Sequence, residues 1–112
     1  MLVLRREDYL RLAPFLRDKG ARQKVILYLL AAGYRVPDLV KMDVRMLRGL
    51  ALPIDLAVLL DDFLDDRKKG SAFQYPNGKT IPHTAHYRLV RAACKKVIGR
   101  PMTVDQFRVL VR

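Results

Sequence analysis

The stretch Lys24–Val44, KVILYLLAAGYRVPDLVKMDV, decides how this chain must fold. From Val25 to Ala32 every residue is apolar or nearly so, and a helix over these positions offers no side on which water can lie. Such a helix has to be enclosed by other elements. Gly33 supplies the small, conformationally free residue with which helices close. Pro37 then opens a short second helix, PDLVKM, at the position where a missing N–H and a fixed φ cost nothing. The segment VILYLLAAG covers nine residues, against about 20 for a bilayer span, and no signal-type amino terminus precedes it, so it reads as the central helix of a bundle.

The flanking sequence supplies the surrounding helices. Upstream, REDYLRLAPFLRDKG spaces Tyr9, Leu12 and Leu16 at helical intervals, with Glu7 and Asp8 at the positive amino end, Pro14 as a source of a kink and Gly20 as the expected stop. Downstream, one helix is expected from Pro53 to about Lys68. Leu56, Leu59, Leu60, Phe63 and Leu64 would share its inner face, with Asp61, Asp62, Asp65 and Asp66 opposite. GSAFQYPNGKTI holds a Pro-Asn-Gly turn and reads as a loop or a small strand whose tip exposes Lys79. From Pro82 to Ile98 a further helix runs to Gly99, with Leu89, Val90, Ala93, Cys94 and Val97 on its inner side. After Pro101 a last helix begins, capped by the Thr103 hydroxyl and by Gln106 reaching back to the cap amide. The expectation is a mainly α, compact helical domain spanning 1–112 as one unit, with little β-structure.

Charge narrows the partners. Twenty-two basic against eleven acidic residues leave a formal net charge of +11, more than solubility needs, and four of the acids crowd into LDDFLDDRKK. The rest of the surface is therefore more basic than the total implies, and an anionic partner follows. On the helix after Pro82, Arg88, Arg91 and Lys95 recur at spacings of three and four opposite the apolar side. Lys96 and Arg100 extend the stripe, and Lys79, Thr80, His83 and Thr84 stand at its amino end. This is an arrangement suited to nucleic-acid phosphates; the alternative is an ordinary solvated face. The single cysteine, Cys94, excludes an internal disulfide and fits a reducing cytoplasm. His83 and His86 have no third ligand near them in sequence and read as cap or core residues, and the paired aspartates read as solvating charge. No Gly-rich phosphate loop and no nucleophile elbow occurs, so no metal, cofactor or catalytic set is expected.

With these residues in view, the chain resembles the catalytic domain of tyrosine recombinases and phage integrases. In that family an apolar helix ends at a glycine, an aromatic or Leu and the first active-site arginine; Gly33, Tyr34 and Arg35 match. Pro37-Asp38 stands where Ser-Glu is usual, and Asp43-Val44 supplies the family's "aspartate plus aliphatic" step. LRREDYLRLAPFL resembles the first helix of that domain, and LPIDLAVLLDDFLDDRKKGSAF its proline-leucine-helix stretch. TVDQFRVL is similar to the His-x-x-Arg-His box, with Asp105 at the first His, Arg108 at the second active-site arginine and Val109 at the following His.

The departures point away from chemistry. RMLRGLAL is too short for the hairpin that carries the family's catalytic lysine, for which Lys41, Arg45 and Arg48 are poor substitutes, and nothing follows Arg112 where the nucleophilic tyrosine helix would lie. Tyr9, Tyr28, Tyr34, Tyr75 and Tyr87 all precede the arginine box, so none matches the nucleophile. Arg35 and Arg108 are left to grip a phosphate or, alternatively, to form salt bridges with Asp38 or Asp105.

The resemblance thus implies an integrase-like core with its β-hairpin reduced and its nucleophile helix absent. Such a protein would be a catalytically inactive binder of double-stranded DNA from a phage, plasmid or other mobile genetic element, acting in transcription control or as an architectural protein on the bacterial nucleoid. Arg35, Lys41, Lys79, Thr80, His83, Thr84, Arg88, Arg91, Lys95 and Arg108 would face the DNA. The alternative is a protein-binding modulator, whose vacant groove for the missing helix takes a recombinase, a regulatory protein or a second copy of itself.

Overall fold

The structure, a computed structural model, describes residues 6–111. Expectations placed on residues 1–5 and on Arg112 lie outside the described residues. The described chain is helical, with no strand in it: α1 (Arg6–Leu16), α2 (Ala21–Ala31), α3 (Val36–Lys41), α4 (Val44–Arg48), α5 (Ile54–Ala57), α6 (Leu60–Leu64), α7 (His83–Ile98) and α8 (Val104–Val111).

The enclosed helix is α2. Every residue from Val25 to Ala32 is buried, and α1, α5, α6, α7 and α8 all pack on it. Gly33, at φ 111, turns the chain out of α2 in a conformation that a Cβ would strain. Tyr34 N–H then donates to the Leu29 carbonyl and satisfies one of the helix's last acceptors. Asp38 holds the next turn by accepting from the Arg35 backbone N–H at 2.9 Å, so Arg35 stands at the amino end of α3.

The last helix packs α8 against α1, α2 and α7, burying Phe107 and Val111. The Phe107 ring meets Phe15 edge-on with centroids 5.2 Å apart. Its start is the reciprocal cap read from sequence: Gln106 N–H donates to Thr103 Oγ1 at 3.2 Å, and Thr103 N–H donates to Gln106 Oε1 at 3.0 Å.

Four details differ from expectation. Helix α1 ends at Leu16; Asp18, at φ 60, makes the turn assigned to Gly20, which instead precedes α2 in an extended conformation. The single helix expected from Pro53 to Lys68 is two short ones. Leu59 N–H donates to Leu56 and Asp62 N–H to Leu59, three residues back in each case, and this tighter winding interrupts the α pattern at Val58–Leu59. The inner face survives the break, with Leu56, Leu60 and Leu64 buried and the four aspartates exposed. The connection after Val44 is itself a helix, α4, capped by the Asp43 carboxylate accepting from Met46 N–H at 2.8 Å. Val97 is 38% exposed although it was expected on the buried side of α7.

Between α6 and α7 the chain makes isolated bridges, Asp43 with Ser71 and Gln74 with Thr80, in place of a hairpin. One side chain organises this loop. Arg67 donates to the carbonyls of Leu64, Ser71, Phe63 and Ala72 and to Gln74 Oε1, at 2.7–3.4 Å. Phe73, fully buried, is pinned into the core beside Phe63 and His86.

Candidate nucleic-acid interface

Helix α7 carries the largest share of the candidate residues. Pro82 precedes it and Gly99, at φ 85, closes it, so sixteen residues run unbroken. Val90, Ala93, Cys94 and His86 face the core, and burial pushes the Cys94 thiol pKa up. Thr84, Arg88, Arg91 and Lys95, at intervals of four, three and four, are exposed on the other side. From Thr84 to Lys95 the helix rises about 17 Å. Ahead of its amino end, Tyr75 N–H donates to the Lys79 carbonyl and closes the Pro76–Gly78 turn, which leaves Lys79 and Thr80 exposed beside His83. Arg22 braces this turn by donating to the Gln74 carbonyl at 2.8 Å and by lying over the Tyr75 ring, 5.9 Å from its centroid.

The stripe is shorter than its sequence suggests. Lys96 pairs with Asp18 at 3.0 Å, and that lysine, first through the hydrogen bond and then through its charge, holds the Asp18 carboxyl pKa below its usual value. Lys96 therefore belongs to the contact between α7 and the turn after α1.

The two arginines singled out by the family resemblance come together. Arg35 and Arg108 line one cleft of about 680 Å³ with Arg91 and Tyr87 of α7, Val36 and Pro37 of α3, and the segment from Pro101 to Gln106. Their environments differ. The Arg108 guanidinium donates through Nε to the Leu30 carbonyl at 2.7 Å, through Nη2 to the Tyr34 carbonyl, and through Nη1 to Asp105 at 3.1 Å; its side chain is 16% exposed. It fastens α8 to the end of α2 and presents only its edge to the cleft. Arg35 and Arg91 are exposed, and neither has a carboxylate partner among the described residues. Asp38, the suggested partner of Arg35, spends its carboxylate on the Arg35 backbone N–H instead. Lys41 is exposed in the last turn of α3, away from the set that lines the cleft.

Four of the acids are segregated from this face, whereas Asp105 lines the cleft beside Arg108. Asp61, Asp62, Asp65 and Asp66 lie on and just after α6, and Arg48 of α4 faces Asp61 at 3.5 Å. Among the described residues no three His, Cys, Asp or Glu side chains are grouped to hold a metal, and no helix is long and apolar enough to cross a membrane. Sequence reasoning missed Arg67 and Arg22, which shape the loop carrying Lys79. Their bonds run to backbone carbonyls, an interaction that leaves no periodic trace. Compared with known proteins, the chain matches no family model, no curated protein and no solved structure.

Proposed function

We propose that this protein is a catalytically inactive, integrase-like binder of double-stranded DNA with a role in transcription control or DNA architecture, carried by a bacterial mobile element. The observation that carries the reading is the continuity of one basic face. Thr84, Arg88, Arg91 and Lys95 run exposed along one side of α7, Lys79, Thr80 and His83 are exposed at and before its amino end, and Arg91 shares a cleft with Arg35, while the acidic cluster lies on and just after α6. The loop tip and the start of α7 enter the major groove; Arg88, Arg91 and Lys95 meet phosphates, which position the protein without reading sequence. Arg108 acts from beneath, holding the cleft open by tying α8 to α2.

Four phosphate contacts, from Lys79, Arg88, Arg91 and Lys95, predict a slope of log affinity against log salt of about −3.6, hence a loss of roughly a hundredfold between 50 and 200 mM salt. The test is a fluorescence-anisotropy titration of labelled duplex with the wild type and with the double variant Arg88→Glu/Arg91→Glu. Loss of binding by the variant, with an unchanged thermal melt, supports the face. Unchanged affinity rejects it, and absence of duplex binding by the wild type favours a protein partner over DNA.

A further inference from the structure

The cleft between α3, α7 and α8 is larger and less polar than a phosphate requires. Its volume of about 680 Å³ falls in the range of small-molecule sites, about 300–1,000 Å³. Arg108 is already committed to the Leu30 and Tyr34 carbonyls and to Asp105, the one carboxylate in the cleft lining, which leaves Arg35 and Arg91 as the lining charges with no carboxylate partner among the described residues. Much of the remaining wall is apolar, with Pro37 from α3 and Met102 from the segment before α8. Tyr87, 45% exposed, stands one helical turn before Arg91 on α7, so a ring and a guanidinium share one side of the cleft. A bare phosphate would use the arginines and leave the apolar wall wet. A purely apolar ligand would leave the two arginine charges unanswered. An anion joined to a flat ring uses both.

We propose that the cleft binds one nucleoside monophosphate unit, its phosphate on Arg35 and Arg91 and its base on Tyr87 against Pro37 and Met102. Either a free nucleotide or an unpaired nucleotide within a strand presents this chemistry, and the proposal rests on the nucleic-acid reading above for the source of that unit. Base stacking on an aromatic side chain tolerates any base, so the pocket discriminates unpaired from paired nucleotides rather than one base from another.

The experiment is isothermal titration calorimetry of the full chain with dAMP, deoxyadenosine and inorganic phosphate, beside a short oligodeoxyadenylate strand and a fully paired duplex. The expected result is that dAMP binds more tightly than phosphate or deoxyadenosine, and that Tyr87→Ala weakens it about tenfold while Tyr87→Phe does not. Tighter binding of the single strand than of dAMP identifies a strand as the source; equal binding identifies the free nucleotide. Phosphate binding as tightly as dAMP, or an indifferent Tyr87→Ala, overturns the pocket. In that case duplex binding that still depends on Arg88 and Lys95 shows that the wider nucleic-acid reading has survived the pocket's failure.

Discussion

His86 gives the structure its sharpest thermodynamic prediction. The ring is 1% exposed, lies edge-on to Phe73 with centroids 6.3 Å apart, and makes no hydrogen bond of good geometry at either nitrogen. Desolvation by burial, then the charges of His83 and Arg22, push its pKa down to about 4, while the Ile81 backbone pulls weakly the other way. The folded protein therefore holds His86 neutral, and the unfolded chain takes up a proton near the ordinary histidine pKa of about 6.5. Between those values the unfolded state binds more protons, so stability rises with pH through this window. The contribution is complete above about pH 6.5 and is lost progressively as the pH falls to about 4. A gap of about 2.5 units corresponds to about 3 kcal/mol. With a urea m-value of about 1.5 kcal/mol per molar, the unfolding midpoint should fall by about 2 M from pH 7 to pH 4.5. His86→Leu removes the titrating group and both ring nitrogens, and its midpoint should change far less over the same range. Urea titrations followed by circular dichroism at pH 7, 5.5 and 4.5 measure both slopes. Parallel pH profiles for the two proteins would refute the assignment of the acid sensitivity to His86.

Other expectations are equally direct. Arg67→Ala should cost about 2–4 kcal/mol, because several buried-side carbonyls lose their donor at once, and hydrogen exchange should show the amides from Ala72 to Ile81 losing protection first. Arg108→Ala should destabilise by about 2–3 kcal/mol in urea unfolding, whereas Asp105→Ala, which removes only the exposed half of an i,i+3 pair, should cost under about 0.5 kcal/mol. Equal losses would mean that the ion pair, and not the carbonyl anchorage, holds α8. Lys95→Ala should reduce the salt slope of duplex binding by about 1 without altering the melt, and an unchanged slope would remove Lys95 from the contact set.

How much of this was legible in the sequence depended on the range of the interaction. Helices α2, α7 and α8 announce themselves because their signals are local: an unbroken apolar run, an apolar side with glycine at its end, and a Thr103–Gln106 cap that the structure reproduces donor for donor. The break at Val58–Leu59 was invisible, since Leu56 to Leu64 keeps helical spacing throughout and only the winding tightens. Helix α4 was hidden by its length, five residues with too few turns to show a period. At the candidate site, exposure of the α7 stripe followed from spacing alone. Pairing of Lys96 with Asp18 did not, because those residues lie 78 positions apart and only the tertiary fold introduces them. The meeting of Arg35 and Arg108 in one cleft was suggested by family resemblance; that one is exposed and the other braced against carbonyls is a property of packing.

The bracing by Arg67 has a consequence for how the molecule answers its surroundings. Its acceptors are four backbone carbonyls and an amide oxygen, all uncharged dipoles at short range. Mobile ions weaken attraction between separated charges, with a screening length of about 3 Å at 1 M, but have little hold on a partly buried donor already in contact with a dipole. The phosphate contacts proposed for the exposed stripe would be of the opposite kind, their strength falling steeply with salt. Rising ionic strength should strip this protein of an anionic ligand while the loop that presents Lys79 keeps its shape, so that release and refolding are separate events and the freed protein is ready to bind again.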